Sequence, residues 1–215
     1  MGKLESKAGA EKFLPAGRSI RELRAAAATC KGCELWRNAT QTVFGAGSGH
    51  AKMVLIGEQP GDQEDLTGIP FSGPAGRLLD RGLADAGIDR EEVYITNAVK
   101  HFKWLPRGKR RLHQKPSGRE ITACRPWLVA EVEAIQPGVL VCLGATAARA
   151  VLGKMTKISE YRGEFLKSDL GSRIIVTVHP SSVLRIEDSD MREVAMRQFI
   201  DDLRTARRSL SDCRV

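Results

Sequence analysis

Two sets of residues in this chain have the types and spacing to do chemistry. Cys30 and Cys33 stand in CxxC spacing, Cys124 lies far downstream, and His101 precedes Cys124 with 22 residues between them. Three thiols and one imidazole fit a structural zinc site on spacing alone. They fit equally an iron–sulfur cluster in which one histidine replaces a cysteine, and a CxxC with no metal is the plain alternative. The second set is Glu58, Asn97, His113 and His179, a carboxylate, an amide and two imidazoles suited to acid–base, nucleophilic or hydrogen-bonding roles. His113 sits in Lys100–Arg119, KHFKWLPRGKRRLHQKPSGR, which carries eight Lys or Arg and no acid. The chain has 34 basic and 26 acidic residues, so 34 − 8 = 26 and this stretch holds the whole excess of +8. Cations interleaved with Phe102 and Trp104 form an electrostatic footprint for a polyanion, nucleic acid being the commonest; a solvated loop is the plain alternative.

Several elements must position these groups. At 215 residues and 42% hydrophobic content the chain can bury one full core. No apolar run reaches membrane-spanning length and the N-terminus has no signal-peptide core, so a soluble cytoplasmic protein is expected. Five cysteines at irregular spacing do not read as a secreted disulfide framework; Cys142 reads as a buried thiol and Cys213 as a spare surface one. Residues 1–17 read as a loosely ordered lead-in and 18–215 as a single domain. Ser19 caps a helix running to Ala28, and the CxxC follows in a turn. Lys52–Ile56, Val93–Val99, Val139–Leu143 and Ile174–Val178 read as buried strands. Helices are expected over Ala75–Ala86, from the capping box Ser117–Glu120, over Ala145–Leu152 and over Met191–Arg208. Pro126 is expected to kink or restart its helix, and the glycines and prolines of 100–119 mark a loop. Continuous apolar strands alternating with helices predict an α/β fold: a three-layer α/β/α sandwich on a mostly parallel central sheet. In such folds ligands bind beyond the carboxyl ends of the strands, where Glu58, Asn97, the basic stretch and His179 all fall. With no heptad run or unexplained apolar stripe, a monomer is expected.

Four motifs in order, GEQPG at 57–61, GIPFSGPAG at 68–76, YITNAVK at 94–100 and VHPSS at 178–182, resemble those of the uracil-DNA glycosylase superfamily, family 4 in particular. The resemblance covers roughly Cys30 to Arg185. The insert Lys109-Arg110-Arg111-Leu112-His113 is similar to the signature loop of the UdgX branch, whose members attack uracil-containing DNA and stay joined to it through a loop histidine. The loop has Leu112 where a β-branched residue is usual. Family 4 places a cysteine where this chain has His101; the UdgX branch has histidine there. The resemblance therefore implies a [4Fe–4S] cluster on Cys30, Cys33, His101 and Cys124, with zinc the alternative. It implies that Phe71 stacks on an extruded uracil and that Asn97 pairs with its O4 and N3–H. Gln59 would approach the base or sugar, and His179 would donate to O2 and stabilise the leaving anion. Glu58 would face the sugar cation or hold one nitrogen of His113, while His113 attacks C1′. Lys109, Arg110, Arg111, Ser181 and Arg185 would grip DNA, single-stranded in preference because no pairing is lost. Two other readings stand beside a single-turnover glycosylase: a conventional turnover family 4 enzyme, and a non-catalytic metal-containing nucleic-acid-binding module.

Overall fold

The computed structural model describes residues 9–153 and 157–211; Cys213 and residues 1–8 of the expected lead-in lie outside them. In chain order the elements are α1 (Ile20–Ala27), β1 (Ala46–Gly47), β2 (Met53–Gly57), α2 (Asp62–Thr67), α3 (Pro74–Asp85), β3 (Val93–Asn97), β4 (Trp104–Arg107), β5 (Arg110–His113), α4 (Gly118–Ile135), β6 (Val139–Leu143), α5 (Ala145–Leu152), α6 (Ile158–Tyr161), β7 (Phe165–Ser168), β8 (Gly171–Thr177), α7 (Pro180–Leu184) and α8 (Ser189–Ser211). The main sheet has the order β1-β3-β2-β6-β8-β7. β3, β2, β6 and β8 run parallel, and the short edges β1 and β7 are antiparallel.

Each central strand is buried on both faces, which is why these strands are apolar throughout. Val54, Ile56, Tyr94, Leu140 and Cys142 pack beneath α1, α4 and α5. Met53, Leu55, Ile95 and Val141 pack beneath Leu79 and Leu83 of α3 and Phe199 and Leu203 of α8. The three-layer α/β/α sandwich expected from the strand pattern is the observed fold. Among the described residues no helix is long and apolar enough to cross a membrane.

Three local expectations need correction. The stretch 100–119 is not an irregular loop: β4 and β5 form an antiparallel hairpin pairing Trp104 with His113 and Arg107 with Arg110. Gly108 supplies the turn at φ 59°, a conformation that suits glycine. Of the two outcomes expected at Pro126, a restart is excluded because α4 is continuous across it, and the Ser117–Glu120 capping box forms as expected. Residues 9–13 are a turn of 3-10 helix packed on α4 with Ala10 buried, so the lead-in is anchored from Gly9 onward.

Candidate active site

The sheet order reverses at β2: β3 lies on one side of it, while β6, reached later in the chain, lies on the other. Such a reversal opens a crevice beyond the carboxyl ends of the strands. A cavity of about 830 Å³ occupies this position, lined among others by Glu58, Gln59, His113, Thr146, His179 and Arg185. Glu58 follows β2, Asn97 ends β3, Thr146 lies in the first turn of α5 and His179 follows β8. His113 enters from the end of β5.

Asn97 is buried, and its Oδ1 has no hydrogen-bond partner among the described residues. An orphaned buried acceptor is costly unless a ligand satisfies it. It lies over Gly57, where an added Cβ would come 2.4 Å from Asn97 Oδ1 and 2.6 Å from the Phe71 ring. Phe71 is held at φ 57°, a left-handed conformation uncommon for a bulky residue and often stored at functional sites. Its carbonyl rests on Gly76 of α3, where a Cβ would meet it at 1.5 Å, so that helix must have glycine there. The Phe71 ring stacks on His179 at 5.8 Å between centroids.

His179 caps α7. Its Nδ1 accepts from the Ser181 backbone N–H at 3.2 Å and lies 2.8 Å from Ser181 Oγ. A backbone N–H can only donate, so the proton of the neutral ring is on Nε2. Burial, with Arg185 and His113 adding to it, pushes its pKa down to about 4. His179 is thus a neutral Nε2–H donor at pH 7.

His113 is half exposed, and its ring rests at a tilt on buried Phe102, 6.0 Å between centroids. Gln59 is buried with its amide pinned: Oε1 accepts from Lys103 N–H at 3.1 Å and Nε2 donates to the Gln114 carbonyl at 3.0 Å. The same Nε2 lies 2.9 Å from His113 Nε2. The Gln59 nitrogen also faces the Lys103 carbonyl at 3.2 Å, so its two hydrogens are shared among three acceptors; since an amide nitrogen cannot accept, the contact fits the His113 tautomer with its lone pair on Nε2. Glu58 Oε1 stands 3.5 Å from His113 Nε2, outside a good hydrogen bond. Its Oε2 accepts from Thr146 Oγ1.

The basic stretch divides into inward and outward cations. Lys100 is fully buried against Glu131 at 2.5 Å, and its Nζ also donates to Thr96 Oγ1 and to the Asn97 carbonyl at 2.8 Å. Lys103 pairs with Glu120. Arg111 pairs with Asp62 at 2.5 Å and with buried Asp65 at 2.6 Å, and stacks over Phe102 and Trp104. It pins the hairpin to α2. Arg107, Lys109, Arg110, Lys115 and Arg119 face solvent. Ser181 and Arg185 line the cavity, joined by a 3.2 Å bond. Reading by motif missed Thr146, the Asp62/Asp65 clamp and the Lys100–Glu131 pair. It also missed Glu64, whose carboxylate accepts from Gly61 and Gly73 N–H and so staples two glycine motifs together. Only Glu64 had a local signal, standing three residues into its helix as a capping acid.

The model of the uracil DNA glycosylase superfamily matches residues 44–204. This chain belongs to the uracil-DNA glycosylase superfamily. It is similar to the type-4 uracil-DNA glycosylase of Thermotoga maritima, 40% identical over 171 residues covering 79% of this chain and 85% of the relative. The corresponding protein of Archaeoglobus fulgidus is 38% identical over 163 residues, 73% of this chain and 78% of the relative. That of Saccharolobus solfataricus is 35% identical over 179 residues, 77% and 80%.

Cys124 of this glycosylase-superfamily chain lies beside Lys100, just ahead of the hairpin, and Cys30 lies beside Trp127 of the same helix as Cys124. Cys30 Sγ accepts from Gly32 N–H at 3.4 Å and Trp127 Nε1–H at 3.2 Å, and Cys124 Sγ accepts from Lys100 N–H at 3.3 Å. Burial pushes the Cys124 thiol up to about 12 and raises that of Cys33. His101 is buried, with Nε2 2.9 Å from Thr42 Oγ1. Thr42 gives its own hydrogen to the Ala27 carbonyl, so His101 Nε2 donates and Nδ1 keeps its lone pair. Among the described residues no three His, Cys, Asp or Glu side chains are drawn together closely enough to hold a metal ion. The donor types fit one nonetheless: the N–H groups aimed at sulfur offset part of the burial that disfavours thiolate, and an imidazole donating through one nitrogen leaves the other for a metal.

Proposed function

We propose that this chain excises uracil from DNA, single-stranded in preference, and that His113 then captures the abasic sugar. The observation that carries the reading is the orphaned Oδ1 of Asn97, which shares the space over Gly57 with Phe71, whose ring in turn stacks on His179. An acceptor and a donor on one amide match N3–H and O4 of uracil; cytosine presents the opposite pattern at both positions. Phe71 would stack on the flipped base. The Nε2–H of His179 would donate to O2, where negative charge grows as the C1′–N1 bond breaks and its electron pair leaves with uracil. Glu58 would face the cationic sugar. The Nε2 lone pair of His113 would then form the N–C1′ bond, and the imidazolium would release its Nδ1 proton to water. A tethered nucleophile with an effective concentration of about 10^5 M or more outruns solvent. Reversal would require breaking an unactivated C–N bond, so turnover would stop after one event. On this reading the chain would be a UdgX-type member of the superfamily; the KRRLH hairpin and histidine at 101 support it.

Cys30, Cys33, His101 and Cys124 would hold a [4Fe–4S] cluster, or zinc in its place. When bound, the group would cross-link both ends of the hairpin to the turn after α1. Exposed Lys109 and Arg110, with Ser181 and Arg185, would meet phosphates. The working form would be a cytoplasmic monomer.

Uracil release from a single-stranded oligonucleotide tests the reading. Wild-type protein is expected to release uracil and no cytosine, and Asn97→Ala to lose about 100-fold or more in rate because buried polar groups are left unpaired. Intact uracil with wild-type protein would contradict it.

A further inference from the structure

Glu58 and Thr146 stand on opposite sides of the crevice at the sheet's switch point, one after β2 and one after β6. Thr146 Oγ1 donates to Glu58 Oε2, across 88 residues of sequence. The other contact of this carboxylate among the described residues is His113 Nε2, 3.5 Å from Oε1. Thr146 is 3% exposed and cannot drift. It stands two residues after Gly144, which caps α5 at φ 92° and packs so closely on His179 that an added Cβ would meet the His179 Cβ at 3.1 Å. Thr146 therefore hangs from the same rigid junction that carries the base-facing histidine.

We infer that Thr146 is a positioning residue for Glu58: its hydroxyl ties down one carboxylate oxygen and aims the other into the space between His113 and the sugar. The inference rests on the glycosylase reading above and adds a residue to it. A glutamate has three rotatable side-chain bonds, and here one hydroxyl restrains them. Without that anchor Glu58 is free to swing onto His113 Nε2, displacing the Gln59 donor that now occupies it at 2.9 Å. The carboxylate would then leave the developing sugar cation, and the imidazole would hold a proton on the nitrogen that needs its lone pair. One hydroxyl thus serves both halves of the reaction, the departure of uracil and the capture by His113.

The test compares wild type, Thr146→Val and Thr146→Ser. Valine keeps the shape and removes the hydroxyl; serine restores it. Single-turnover uracil release is measured at saturating protein, with binding of an oligonucleotide carrying 2′-fluorinated deoxyuridine, which resists excision, measured separately. The expected result is a drop in excision rate of about tenfold or more for Thr146→Val, binding of the fluorinated strand within about twofold, and recovery by Thr146→Ser to within about threefold. The fraction of abasic product joined to protein should fall with the rate in Thr146→Val and recover in Thr146→Ser. Equal rates for wild type and Thr146→Val would overturn the role of Thr146 while leaving the glycosylase reading intact. Equal losses in the valine and serine variants would overturn it too, since shape rather than the hydroxyl would be responsible. Wild-type protein that releases no uracil would refute the glycosylase reading, and the role assigned here with it.

Discussion

Arg111 turns its charge inward, onto Asp62 and the fully buried Asp65. Removing it would strand a buried carboxylate at a cost of about 3–5 kcal/mol. Arg111→Ala is therefore expected to lower the melting temperature by roughly 6–20 °C in calorimetry. Arg110→Ala, on an exposed side chain, should leave it within about 1 °C and instead flatten the salt dependence of DNA binding. His179 makes a pH-dependent contribution whose sign is fixed. Its folded pKa is about 4 against an ordinary 6.5. Between those values the unfolded chain takes up a proton that the folded chain refuses, so stability is full above the ordinary value and is lost as pH falls toward 4. From pH 7 to pH 5 the wild type should lose about 2 kcal/mol more than His179→Gln, as read by urea unfolding. The residues that do the proposed chemistry are legible in sequence because each stands in a short motif. Their partners are not: 46 residues separate Arg111 from Asp65, and 88 separate Thr146 from Glu58.

The hairpin shows why an element can be misread when its residues are not. Two glycines and two prolines in twenty residues argue for an irregular loop, yet only Gly108 turns the chain. Pro106 fits because it sits in a two-stranded ribbon opposite Arg111. The ribbon holds its shape through Trp104 and Arg111, which meet at 5.5 Å, and through the Trp104 indole N–H donating to the Asn38 carbonyl at 2.8 Å. Such long-range contacts leave no local signature. An added Cβ at Gly108 would meet nothing within 4 Å, so the positive φ alone penalises a substitution. Gly108→Ala should cost the hairpin about 1 kcal/mol, speeding amide exchange over residues 104–113 about fivefold while the melting temperature of the fold stays unchanged. The central strands and the Ser19 and Ser117 helix caps, by contrast, are legible in advance, because burial on both faces and capping boxes are local demands. The edge strands β1 and β7 are too short or too exposed to make the same demand.

Across the whole molecule, the Lys100–Glu131 pair joins Asn97 at the end of β3 to Cys124 in α4. Lys100 touches the Asn97 carbonyl with Nζ and Cys124 with its backbone N–H, while Glu131 gathers Gly45 N–H, the Tyr94 hydroxyl and Thr96. Glu131→Gln would leave an ammonium buried without its counter-charge, costing about 3–5 kcal/mol, and adding Lys100→Met should return most of that stability, because the new amide's carbonyl still accepts from Gly45, Tyr94 and Thr96. A double variant that regains its melting temperature but not its uracil release would show that the pair holds Asn97 in register. The fold would survive the exchange; the pocket would not. Purified protein is expected to be brown, absorbing near ~400 nm, if a cluster occupies the cysteine site, and colourless with bound zinc if it does not. The central claim is the capture of the sugar by His113. The protein is mixed with a uracil-bearing single-stranded oligonucleotide, boiled in detergent and run on a denaturing gel. A shifted protein–DNA band is expected, one strand per protein, absent from His113→Ala although that variant still releases uracil. Free abasic strand in excess over wild-type protein, with no shifted band, would contradict it.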